Sequence, residues 1–189
     1  MMNTSDPSSK NFPQAQAVVR FWLDAGPGKW FAKDQALDDV FRSKFLDLHF
    51  AAARRELEDW AKNPEACLAL LILLDQFPRN AFRGTAHMFA TDALARHYAG
   101  IMIDQGHAAH IAPELRLFVC TPFVHSELLA DQDYALTLYG ELAPDGLKWA
   151  NIHHDIIARF GRFPHRNDCL ARVTTEEEQR FLDEGGFSG

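Results

Sequence analysis

The sequence predicts an all-α fold of packed helical hairpins, with about eight helices in one domain. Three observations carry this. Apolar residues recur at steps of three and four, Gly and Pro punctuate the chain at short intervals, and no stretch alternates with period two in β-branched residues. A chain of 189 residues with 47% apolar content can bury one sizeable core. Residues 1–12 read as a disordered N-terminal tail and 13–189 as a single all-helical domain.

The elements follow in order. An apolar, aromatic-rich stripe from Ala15 to Asp24 is stopped by Gly26-Pro27-Gly28. Leu37, Phe41, Phe45, Leu48 and Ala52 share one face of a long amphipathic helix that starts near Asp34, and Trp60 closes it or its successor. Asn63-Pro64 is an N-cap followed by proline at the first helical position, and Cys67 to Leu74 is apolar on all sides, as a central buried helix requires. Thr91 caps a helix that Gly106 ends, Pro113 opens a shorter one through Phe118, and Pro122 interrupts the chain. Ser126 caps a helix to about Leu142, Leu147 to Phe160 forms another that ends at Gly161, and Thr175 with Glu178 fits a capping box for the last. Periodicity alone leaves open whether these helices form a bundle or a curved solenoid.

Composition narrows the partners. A formal charge of -7 disfavours non-specific attraction to nucleic acid or to an anionic membrane, so neither is expected as a partner. The longest apolar run, Ala66 to Leu74, is well short of the roughly 18–20 residues that cross a bilayer. Cys67, Cys120 and Cys169 are odd in number and in no metal-ligand spacing, which suggests buried thiols in a reducing, cytoplasmic setting. The polar stretch Met1 to Asn11 lacks the apolar region of a secretory signal. No cofactor is implied, and the oligomeric state is not encoded in any pattern.

Two matching boxes stand out, Phe77-Pro78-Arg79-Asn80 and Phe163-Pro164-His165-Arg166-Asn167. Each follows the end of a helix, so proline should terminate it, Phe anchor the turn, and Arg with Asn satisfy exposed carbonyls or hold a partner. As clamps, the arginines would tie helix ends to carboxylates on neighbouring helices. As a binding site, Arg79, Arg159, Arg162, His165 and Arg166 would receive the phosphate or carboxylate of a small molecule or peptide. Asp155, Arg159 and Arg162 fall on one helical stripe, and Glu127 and Asp131 share a face at i, i+4. Ser126 reads first as a cap, and His125 first as a hydrogen-bonded core histidine.

A hydrolase is the rival reading, with His125, Glu127, His154 and Asp155 as acid/base groups or, for His125, His154 and Asp155, as metal ligands. The order His125, His154-Asp155, Asp168 is similar to that of helical metal-dependent phosphohydrolases, although Asp168 follows unusually closely and no second carboxylate set completes a two-metal centre. Ser126 lies in no nucleophile elbow, and no Gly-rich phosphate loop or zinc spacing occurs. Trp22, Trp30, Phe31 and Trp60 fit core packing.

Phe21-Trp22, Trp30-Phe31 with Asp34, Glu56-Leu57 before Trp60, Leu74 to Asn80, Phe89-Ala90-Thr91-Asp92, His125-Ser126-Glu127 and Arg159 to Asn167 resemble the bacterial domain of unknown function 924 family, from about Phe21 to the C-terminus. The resemblance implies an all-α, tetratricopeptide-like α-α superhelix and no established activity. Against the family pattern, Val124 stands where an acidic residue usually precedes the His-Ser-Glu triplet, and Ala171 where a glycine usually precedes Arg172.

Overall fold

In the computed structural model, residues 11–187 are described, and among them the regular structure is helical throughout. Residues 1–10 of the expected tail lie outside the described residues, and Phe12 sets its ring 6.2 Å from that of Trp60.

Helix α1 (Pro13–Ala25) buries Ala15, Val18, Val19 and Trp22, and stops where Gly26 takes a left-handed φ of 77° that its missing Cβ permits. One turn, α2 (Pro27–Trp30), brings the Trp30 indole N–H to the Trp22 carbonyl at 2.7 Å. The long α3 (Gln35–Ala53) starts on the Asp34 carboxylate, which accepts from the Leu37 N–H at 3.1 Å. Its inner stripe carries Phe41 and Phe45 together with two buried polar groups, Asp38 and His49. Asn63 caps α4 (Pro64–Leu71) by accepting from the Ala66 N–H at 3.0 Å, and every residue from Ala66 to Leu71 is buried. Each fully buried leucine there is worth roughly 1.5–3 kcal/mol of transfer free energy.

After α5 (Phe77–Ala81) come α6 (Asp92–Asp104), α7 (Leu117–Val124), α8 (Leu129–Leu142), α9 (Leu147–Phe160) and α10 (Glu176–Asp183). Helix α4 packs against α1, α6 and α7, while α7, α8 and α9 follow one another as packed hairpins. Phe118 sits in the main core, with its ring centroid 5.6 Å from Trp22 and 5.1 Å from Trp30. A second, smaller core joins Ile156, Ile157 and Phe163 to Phe181 and Phe187 at the C-terminus. No helix among the described residues is long and apolar enough to cross a membrane.

Several local expectations are corrected. Pro78 does not end its helix: residues 72–76 widen into a π turn, and α5 continues through the box. Pro122 lies inside α7 rather than breaking the chain, and the carbonyl of Phe118, four residues back, takes the Thr121 hydroxyl at 3.3 Å in place of the missing N–H. Ser126 precedes its helix by more than a cap position: its hydroxyl donates to Asp131 at 2.5 Å and accepts from the Leu128 N–H at 3.2 Å. Thr91 occupies the N-cap of α6 but makes no capping bond. The Thr175–Glu178 capping box forms as the sequence predicts.

Candidate functional site

The site begins with the π turn. The Phe77 N–H bonds back to the Ile72 carbonyl, and Pro78 has no N–H to offer the next ones. Two side chains from other elements and one from α5 itself meet carbonyls of the turn: the His49 Nδ1–H donates to Leu73 at 2.9 Å, the Thr91 hydroxyl to Leu74 at 2.5 Å, and Arg79 Nη1 to Asp75 at 2.7 Å. Buried carbonyls seldom stay unpaired, so this widened turn is held open by its neighbours.

Asp75, with 0% exposure, is the anchor. One carboxylate oxygen accepts from His125 Nδ1–H at 2.7 Å and lies 3.2 Å from Arg79 Nη1, and the other accepts from the Gln76 amide at 2.6 Å. Burial acts to raise its pKa, but His125, Arg79 and Gln76 outweigh burial and hold it well below the usual carboxylate range. Arg79 continues into a fork on Asp92, with Nη1 at 2.8 Å and Nη2 at 2.9 Å. Burial opposes its charge, yet Asp75 and Asp92 raise its pKa above the ordinary value.

The second box reaches the same carboxylate from the other side. Arg166 Nη1 lies 3.6 Å from Asp92 Oδ2, and Nη2 donates to the His125 carbonyl at 3.0 Å. Its guanidinium sits between two rings, 4.5 Å from the centroid of Phe89 and 4.4 Å from that of Phe163. Burial and the facing Arg79 charge lower its pKa to about 10. Its buried Nε has no hydrogen-bond partner among the described residues. His125 has a lowered pKa because burial and Arg79 outweigh the opposing pull of Asp75. It is therefore neutral near pH 7, with the proton on Nδ1.

Arg162, just before the second box, and Asn167 within it hold the C-terminal helix. Arg162 grips Glu178 through two bonds of 2.6 and 2.8 Å, and Nδ2 of Asn167 lies 3.3 Å from the same carboxylate. The Arg162 contact comes first among the causes that drop the Glu178 pKa to about 2. Asn80 of the first box does the corresponding job on α3, donating to the buried Asp38 at 2.6 Å. Glu127 accepts from the Phe163 N–H at 2.9 Å and takes the Arg172 fork at 2.9 and 2.8 Å. Burial raises its pKa, but Arg172, the Phe163 N–H and Arg166 lower it further.

The structure thus brings Arg79, His125 and Arg166 together and disperses the other candidates. Arg162 faces Glu178, and Arg159 lies exposed against Glu177 at 3.0 Å. His165 borders the site behind Arg166, where the ring of Phe187 lies 5.4 Å away and its buried Nδ1 has no partner among the described residues. His154 points to Asp133 at 3.0 Å, with Asp155 beside it at 3.5 Å, so it is His153 whose ring faces His125, at 6.3 Å. Among the described residues no three His, Cys, Asp or Glu side chains gather so as to hold a metal ion.

Asp92, Phe89, His153 and Arg172 escaped the sequence reading as site residues. The Phe89 to Asp92 segment was visible as a motif, but nothing local ties it to either box. A shallow surface depression on α3, lined by Asp39, Arg42, Ser43, Lys44, Leu46 and Asp47, shares no residue with the site.

A family model described as bacterial protein of unknown function (DUF924) matches residues 18–186. A solved structure of a protein of unknown function from Agrobacterium tumefaciens is similar, with 53% sequence identity and a TM-score of 0.89 over 92% of this chain and 98% of that one. No curated protein matches the chain.

Proposed function

We propose that this chain, which belongs to the DUF924 family of bacterial proteins, is a cytoplasmic binding module whose helical hairpins present Arg79, His125 and Arg166 to an anionic group of a small molecule or peptide. The observation that carries the reading is the convergence of both box arginines beside His125, with a buried Nε of Arg166 that has no acceptor of its own among the described residues. A buried donor without an acceptor costs about 1–3 kcal/mol, which an incoming carboxylate or phosphate oxygen recovers. Partial exposure supports access: the Arg79 and His125 side chains are each 15% exposed. Two neighbouring arginines serve as clamps. Arg162 and Arg172 are matched to Glu178 and Glu127 in two-bond forks.

The test is a thermal-shift series with phosphate and small carboxylates against chloride at equal ionic strength, because phosphate also stabilises proteins by exclusion from their surface. Specific binding predicts an anion-dependent rise in Tm that disappears in Arg166→Gln and shrinks in Arg79→Gln. An equal rise in wild type and both variants would rule the site out.

A further inference from the structure

The charges around His125 are already matched. From the π turn and α5 it faces Asp75 and Arg79, from α6 Asp92, from the second box Arg166 and His165, from α9 His153, and from its own loop Glu127, which Arg172 neutralises. Two guanidiniums stand against two carboxylates. Burial and the neighbouring Arg166 charge keep His153 and His165 neutral, at about 4 and about 3. An anion entering this set adds an unbalanced negative charge to a largely buried cluster, which is costly unless something nearby becomes positive.

His125 is the group placed to do so. Its Nδ1–H is committed to Asp75 at 2.7 Å, and among the described residues no hydrogen bond engages the lone pair on Nε2. Resting on the anion-binding reading above, we infer that a phosphate- or carboxylate-bearing ligand enters the Arg79–Arg166 site together with one proton, taken from solvent onto His125 Nε2, so that Asp75 and His125 form a proton-accepting pair. The N–H bond forms at Nε2, the imidazolium keeps its Nδ1–H bond to Asp75, and the site gains one positive charge for the negative charge it admits.

Calorimetry of the full chain tests this with sulfate standing for phosphate and acetate for carboxylate, neither of which titrates between about pH 6 and 8. Titration in two buffers of different ionisation enthalpy is expected to show uptake approaching one proton per anion. Affinity should fall about tenfold per pH unit between the pKa of His125 in the free protein and its higher pKa in the complex, and level off above the latter. His125→Gln should bind more weakly and without proton uptake. Binding without uptake in wild type overturns the inference and leaves the binding reading intact, and uptake retained in His125→Gln overturns it too. Absence of binding by either anion removes both readings. Should His125→Gln fail to fold, the His125 ring resonances of wild type decide, since saturation with sulfate must raise the pKa they report.

Discussion

Arg79 and Arg166, one from each box, share the carboxylate of Asp92: Arg79 holds both oxygens at 2.8 and 2.9 Å, and Arg166 stands 3.6 Å from one of them. Asp92 thus serves two largely enclosed cations at once, so its loss should be costly. Asp92→Asn should destabilise the fold by about 3 kcal/mol in urea denaturation, because it leaves two guanidiniums under-compensated. Phosphate should restore more stability to this variant than to wild type. A loss under about 1 kcal/mol would mean that the arginines re-pair elsewhere.

The π turn gives a second prediction. Thr91→Val removes the hydroxyl that serves the Leu74 carbonyl and keeps the side chain's shape, so it should cost about 1–3 kcal/mol. In a Pro78→Ala background residue 78 regains an N–H that can reach the same carbonyl, as in an ordinary α turn, and the cost should shrink. Equal costs in both backgrounds would separate the widened turn from the missing proline donor.

Ala171 adopts φ of 52°, in the left-handed region, and the next residue, Arg172, reaches Glu127. A Cβ in the left-handed region is strained by about 1–2 kcal/mol, part of which glycine loses again through the greater freedom of its unfolded chain. Ala171→Gly should therefore raise stability by about 0.5–1 kcal/mol, read as a higher urea midpoint at unchanged m-value. A lower midpoint would show that the strain is absent.

Stability should fall on the acid side. Burial lowers His153 and His165 from 6.5 to about 4 and about 3, so below pH 6.5 the unfolded chain binds protons that the folded chain refuses. Their contribution is whole above pH 6.5 and is lost down to those folded values, at roughly 1 kcal/mol per pH unit for each. Glu178, held at about 2 against 4.5, adds a further loss between those two values. Urea midpoints from pH 7 downward test this, and His153→Gln should flatten the slope; a wild-type midpoint constant to pH 5 contradicts it.

Arg162 is expected to matter for α10 above all. It grips Glu178 by two bonds and also donates to the Val173 carbonyl at 2.8 Å. Arg162→Ala should raise amide exchange in 176–183 by roughly an order of magnitude while α4 stays protected. Uniform acceleration across the chain would make it a global rather than a local clamp.

What the sequence determined by itself is whatever depends on one or two turns of chain. Apolar spacing set the face of α3, Asn63 and the Thr175–Glu178 box set two helix starts, and the uninterrupted apolar run marked α4 as the buried centre. The two boxes were also legible, together with the family they identify. The tertiary structure decided the partners. Pro78 and Pro122 read locally as stops, yet helix persists at both because side chains cover the carbonyls that proline leaves bare. His125 pairs with Asp75 fifty residues away, while His154 and Asp155, adjacent in sequence, stay together on the surface of α9. Helical periodicity says which face a side chain occupies but not which helix will lie against it. The meeting of Arg79 and Arg166 at Asp92 is a property of packing across the whole chain, with no local pattern to announce it.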